Sequence, residues 1–276
     1  MSPARNPLVR LAELGQSIWY DYITRELLRS GELARLIRED GLRGMTSNPT
    51  IFEKAIAGSP LYDDDIRRLS ERSLGPGEIF EAIAVADVQA ACDAFATLYQ
   101  QSAGRDGFVS LEVSPSLAHD TDATVHEAKR LWDAISRPNA MIKIPGTRAG
   151  LAAIRESIAA GINVNVTLLF SIQRYGEVIE AFLEGLERRI GQRMDVTSIA
   201  SVASFFVSRV DGKVDLLLNG KGQDSEQLRG KIAIANAALA YQLFRRTLAG
   251  ERWERLSAAG ARPQRPLWAS TSTKDP

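Results

Sequence analysis

The 276-residue sequence predicts an α/β fold, a parallel sheet covered by helices in the manner of a (β/α)8 barrel. Three observations predict it. Short β-type runs alternate with long runs of helical periodicity, and several of the short runs are apolar almost throughout, as strands buried on both faces are. No Gly-x-Gly-x-x-Gly follows a strand, so a dinucleotide-binding fold has no support. The length matches the ~250 residues of a typical barrel.

The elements follow in order. Gln16–Tyr20 is a short β-rich run. Ile23, Leu27, Leu33 and Ile37 then recur at helical spacing, in two pieces broken at Ser30-Gly31. Leu42–Ser47 is a second strand, closed by Asn48-Pro49. A mainly helical stretch follows, in which Phe80, Ala84, Val88, Ala91, Phe95 and Leu98 form one apolar face. Gly104–Gly107 breaks that helix, and Phe108–Val113 is a third strand. Asp120-Thr121 is placed to cap a helix carrying Val125, Ala128, Leu131, Trp132 and Ile135. Ala140–Ile144 is a fourth strand; Leu151, Ile154 and Ile158 mark a helix that Gly161 stops. Ile162–Phe170 is a fifth strand, before a helix of Ile172, Tyr175, Ile179, Phe182 and Leu186. Ser198–Phe206 is a sixth, Leu228–Leu243 a long late helix and Pro266–Thr271 a seventh strand. Val214–Leu218 is strand-like on composition alone. No low-complexity linker or obvious boundary divides the chain, so residues 1–276 are expected to form one domain.

Composition narrows the function. Lys and Arg total 34, as do Asp and Glu, so the formal net charge is zero and no basic body exists to grip nucleic acid. The single cysteine, Cys92, excludes an internal disulfide framework and fits a reducing, cytoplasmic setting. With two histidines a His/Cys metal site is not expected, and the Asp63–Asp65 run reads as a charged helix surface. No apolar run approaches the ~20 residues of a membrane span, and the N-terminus lacks a signal-peptide core.

Polar residues recur at the strand ends, where barrel enzymes carry their chemistry. They are Asp21, Asn48, Glu112, Lys143, Asn165 with Thr167, Ser204 and Ser270. A buried polar group costs several kcal/mol unless paired, so such a series points to one shared polar centre. Lys143 lies in Ala-Met-Ile-Lys-Ile-Pro, apolar on both sides. Desolvation there favours the neutral amine, the nucleophile that Schiff-base chemistry needs; a lysine paired with a buried carboxylate is an equal reading. Glu112, one strand earlier, suits either an ion-pair partner or a proton shuttle. Taken alone, Asp21 is more commonly a helix N-cap, and Asn48 also reads as a turn residue before Pro49. Asn165 and Thr167, two apart, share one strand face. Arg209, where the sixth strand passes into a helix, suits a phosphate or an ordinary helix surface.

These motifs resemble the transaldolase family. The resemblance rests on residues 44–52 (Gly-Met-Thr-Ser-Asn-Pro-Thr-Ile-Phe), 109–115 (Val-Ser-Leu-Glu-Val-Ser-Pro) and 141–147 (Met-Ile-Lys-Ile-Pro-Gly-Thr). It extends through 161–171 (Gly-Ile-Asn-Val-Asn-Val-Thr-Leu-Leu-Phe-Ser), 202–211 (Val-Ala-Ser-Phe-Phe-Val-Ser-Arg-Val-Asp) and 268–274 (Trp-Ala-Ser-Thr-Ser-Thr-Lys). It looks most like the longer-chain branch, which includes fusions to glucose-6-phosphate isomerase. The resemblance implies a class I aldolase-type barrel that moves a dihydroxyacetone unit from a ketose phosphate to an aldose phosphate. In that scheme Lys143 forms the Schiff base, Glu112 and a water held by Thr167 shuttle protons, and Asp21 takes the C4 hydroxyl proton. Asn48, Asn165 and Ser204 hold substrate hydroxyls with Phe206 beside them. Arg209, Ser270 and Lys274 bind phosphate, although the Ser-x-Arg of many relatives is here Ser270-Thr-Ser-Thr-Lys274. No metal or organic cofactor is implied, and a homodimer is left open. A fructose 6-phosphate aldolase-like lyase and an inactive fragment or sugar-phosphate binder are the alternatives. The resemblance makes Val214–Leu218 helical and leaves seven strands, so a missing eighth strand and closing helices, with low stability, are expected.

Overall fold

The structure, a computed structural model, describes residues 6–272. Its strands form a seven-stranded sheet in the order β1-β2-β3-β4-β5-β6-β7. The pairs β1–β2, β2–β3, β5–β6 and β6–β7 are parallel. This is the α/β architecture expected of a (β/α)8 barrel, with seven strands among the described residues. The chain divides into two compact units, residues 1–114 with 129–142 and residues 115–128 with 143–276.

The first unit begins with α1 (Pro7–Glu13), β1 (Ile18–Asp21), α2 (Arg25–Arg29), α3 (Glu32–Glu39) and β2 (Leu42–Thr46). A helical insertion follows: α4 (Pro49–Ala57), a 3-10 turn at Pro60–Tyr62, α5 (Asp63–Ser70) and α6 (Pro76–Gln101). β3 (Phe108–Glu112) then enters the sheet. The insertion packs by its own apolar cluster of Ala55, Tyr62, Leu69 and Ile83. The face read from the sequence of α6 is the buried one: Ala84, Val88, Ala91, Phe95 and Leu98 are all buried. Fully burying a side chain the size of Phe95 stabilises by about 1.5–3 kcal/mol, so α6 anchors the unit. Gly44 lets β2 pass under Trp19, because a Cβ there would lie 2.5 Å from the indole.

The division between the units passes through α7 (Thr121–Ile135) and β4 (Ala140–Pro145). In the first unit, Arg130 pairs with Glu81, and Arg137 forks onto Asp93 at 2.5 and 3.0 Å, both residues of α6. The second unit continues with α8 (Arg148–Ala160), β5 (Val164–Leu169), α9 (Ile172–Gly191), β6 (Ser201–Phe206) and α10 (Ser208–Leu218). It ends with α11 (Gln223–Glu226), α12 (Ile232–Leu248), α13 (Glu251–Ala258) and β7 (Arg265–Ala269).

The stop and start signals act as read. Gly161 closes α8 in the left-handed conformation, φ 95°. Asp120 accepts from the Ala123 N–H at the start of α7. Residues 214–218 are helical. The differences are local. β5 and β6 start two and three residues later than the apolar runs suggest, since Asn163 holds the Ala200 N–H with its side chain at 2.9 Å. The late helix starts at Ile232 rather than Leu228, which is exposed in a turn. Helices α1 and α13 have no counterpart in the sequence reading, because each is only seven or eight residues long.

Candidate active site

In the first unit, β1, β2 and β3 end side by side, with Asp21 in register with Thr46 and Thr46 with Ser110. The Thr46 hydroxyl donates to Asp21 Oδ1 at 2.6 Å. Asp21 is therefore not the cap of α2. That cap is Thr24, whose hydroxyl accepts from the Leu27 N–H at 3.1 Å. Asp21 is an exposed carboxylate held by a buried threonine. Asn48 caps α4, its side-chain oxygen accepting from Ile51 N–H at 3.0 Å. The adjacent Ser47 hydroxyl, fully buried, donates to the Ser110 carbonyl at 2.7 Å. Glu112 is half-buried as the last residue of β3.

In the second unit, Lys143 sits within β4, 6% exposed, between the buried Ile142 and Ile144. On β5, Asn165 and Thr167 are both buried. The Ser204 hydroxyl of β6 donates to Asn165 Oδ1 at 2.7 Å. The Thr167 carbonyl accepts from Gly146 N–H at 2.8 Å, which ties the end of β5 to the end of β4. β5 bulges immediately after Thr167: Val166 pairs with Ala203, but the next pairing is Leu169 with Phe205. Leu168 takes up the extra residue with φ 60°. Only glycine adopts that backbone freely. Bulges of this kind re-aim side chains beside functional sites.

A cationic corner forms where β6 and β7 end. The Ser208 N–H donates to the Ser270 carbonyl at 2.8 Å, and the two hydroxyls lie 2.8 Å apart. Ser270 also holds a positive φ of 54°. Arg209, exposed at the start of α10, lays its guanidinium over the Phe206 ring at 4.6 Å. Phe206 in turn stacks on Phe170 at 5.2 Å. Arg209 carries no ion-pair partner among the described residues. A guanidinium supported by an aromatic face, one residue after a serine whose hydroxyl meets that of Ser270, is suited to a phosphate. Lys274 lies outside the described residues.

The structure thus brings Asn165 to Ser204, Phe206 to Arg209, and Ser270 to Ser208 beside Arg209. Thr46 and Ser208 were not singled out in the sequence because their partners are set by the fold. Their partners lie 25 and 62 residues away in the chain. Among the described residues no group of His, Cys, Asp and Glu is placed to hold a metal, and no helix is long and apolar enough to cross a membrane. Burial pushes the Cys92 thiol up to about 12, so it stays protonated at neutral pH.

Comparison with known proteins covers nearly the whole chain. The family model described as "Transaldolase/Fructose-6-phosphate aldolase" matches residues 18–276. A "Transaldolase" of Parafrankia sp. strain EAN1pec is 53% identical over 271 residues, 98% of this chain and 73% of that protein. A "Transaldolase 2" of Nostoc sp. strain PCC 7120 is 49% identical over 284 residues, 99% of this chain and 74% of that protein. A "Transaldolase 1" of Streptomyces avermitilis is 51% identical over 270 residues, 98% of this chain and 71% of that protein.

Proposed function

Since the chain belongs to the transaldolase/fructose-6-phosphate aldolase family, we propose that it is a transferase moving a dihydroxyacetone unit between sugar phosphates through an imine on Lys143. The observation that carries this reading is a lysine buried in the sheet in a chain whose family match spans nearly its full length. The chemistry is that of the pentose phosphate pathway, the proposed location is the cytoplasm, and residues 1–276 are taken as one catalytic barrel domain.

The steps follow from the residue types. The amine of Lys143 adds to the C2 ketone of a ketose phosphate, such as fructose 6-phosphate or sedoheptulose 7-phosphate. Water leaves the carbinolamine, with Glu112 and a water at Thr167 passing the protons. Asp21 takes the proton of the C4 hydroxyl. C4 becomes an aldehyde carbon, and the C3–C4 electron pair moves into the iminium, leaving an enamine on Lys143. The first aldose phosphate departs. Erythrose 4-phosphate or glyceraldehyde 3-phosphate then enters, the enamine attacks its aldehyde, and hydrolysis releases the new ketose. Asn48, Asn165 and Ser204 hold hydroxyls of the three-carbon unit, with Phe206 packed beside them. Arg209, Ser270 and Lys274 receive the phosphate.

The family description also names an aldolase, which would release free dihydroxyacetone. The helical insertion α4–α6 favours transfer, because the aldolases of the family are built on shorter chains. Fructose 6-phosphate is incubated with and without erythrose 4-phosphate, and both products are measured. The proposal expects sedoheptulose 7-phosphate with acceptor and little free dihydroxyacetone without it. Acceptor-independent release at a comparable rate would make the protein an aldolase.

A further inference from the structure

The connection from β1 to α2 is three residues long, Tyr22–Thr24, with Asp21 at one end and Arg25 at the other. The Asp21 end is held by Thr46. The Arg25 end is held by a buried polar cluster. The Arg25 main-chain N–H donates to Tyr62 Oη at 2.9 Å. Its Nε and Nη2 donate to Asp87 Oδ1 at 3.1 and 3.0 Å. Its Nη1 donates to the Leu61 carbonyl at 3.2 Å and pairs with Asp65. Tyr62 Oη donates to Asp87 Oδ2 at 2.9 Å, and the guanidinium lies 4.3 Å above the Tyr62 ring. Arg25 and Asp87 are each 3% exposed and Tyr62 is fully buried.

Stability alone does not account for this cluster. A buried ion pair is often matched or bettered by apolar residues of the same volume. What apolar residues lack is direction. Helix α2 has only five residues, too few to hold a helical turn without tertiary support. Asp87, by contrast, lies in the 26-residue α6. Tyr62 and Asp87 therefore tie the first turn of α2 to the longest helix of the unit, and the short connection passes that constraint back to Asp21.

We propose that Arg25, Tyr62 and Asp87 are positioning residues for Asp21, required for cleavage of the C3–C4 bond and not for imine formation. The inference rests on the reading of Asp21 as the base and Lys143 as the nucleophile. The test separates the two. Each protein is mixed with fructose 6-phosphate, reduced with borohydride, and the adduct on Lys143 is weighed by mass spectrometry. The wild type should carry mainly the three-carbon adduct left after cleavage, and Asp21→Asn mainly the uncleaved six-carbon adduct. Tyr62→Phe removes the hydroxyl that joins the Arg25 N–H to Asp87. It should raise the six- to three-carbon ratio about tenfold or more, as expected of a small misplacement of a catalytic group, while total adduct stays at the wild-type level. The double variant Arg25→Met/Asp87→Leu keeps the volume without the charges. It should show the same shift with a melting temperature at or above that of the wild type. An unchanged ratio in folded Tyr62→Phe and in the double variant overturns the positioning role. Absence of any Lys143 adduct in the wild type overturns the catalytic reading beneath it.

Discussion

Arg209 separates binding from folding more cleanly than any other residue of the candidate site. Its guanidinium rests on Phe206 and carries no ion-pair partner among the described residues, so its removal leaves no buried charge uncompensated. Hydrogen bonds to a charged group contribute about 1.5–3 kcal/mol, so Arg209→Ala should raise KM for a phosphorylated donor about 10- to 100-fold. The melting temperature should stay at the wild-type value. Steady-state kinetics beside a thermal melt check this; a lowered melt with unchanged KM would make Arg209 structural. Residues like Lys143, Asn165 and Ser204 were legible in the sequence because a polar side chain stands out within an apolar strand. Arg25 was not. It reads as one more charge in Thr-Arg-Glu-Leu-Leu-Arg, and its burial against Tyr62 and Asp87 depends on residues 37 and 62 positions further along. Asp65 was likewise read as helix surface. The structure turns it towards Arg25 as well as Arg68, a through-space pairing that no local spacing encodes.

At the scale of elements, β5 carries the informative departure from regularity. The sequence Val-Asn-Val-Thr-Leu-Leu reads as an even strand, and its apolar character was enough to find it. The bulge was not legible, because it is set by register against β6, and Leu168 is a residue that rarely adopts φ near 60°. Since Leu168 is 42% exposed, a substitution there tests the backbone more than the packing. A left-handed backbone costs a non-glycine residue about 1–2 kcal/mol, more when it is β-branched. Leu168→Gly should therefore be more stable than Leu168→Val by about 1–2 kcal/mol in urea unfolding. The reverse order would show that the bulge is not retained in solution. The starts of β5 and β6 differ from the sequence reading by two and three residues, where the Asn163 side chain satisfies the Ala200 N–H before the ladder begins.

At the scale of the whole molecule, the alternation of strands and helices foretold the parallel order of the sheet, because each strand-to-strand crossover needs a helix to return the chain. The balanced charge of the sequence excluded a basic body yet left room for one local cation at Arg209. Composition and periodicity alone did not reach the chemistry. The polar residues at successive strand ends, above all one lysine in an apolar strand, pointed to a shared polar centre, and the proposed chemistry rests on the family match. The central claim is that this lysine is the nucleophile. The most direct measurement is borohydride reduction in the presence of fructose 6-phosphate, with the modified peptide located by mass spectrometry in the wild type and in Lys143→Ala. The account predicts a single adduct, on Lys143, absent from the variant. An adduct that persists in Lys143→Ala, or transfer activity that survives the substitution, would contradict it.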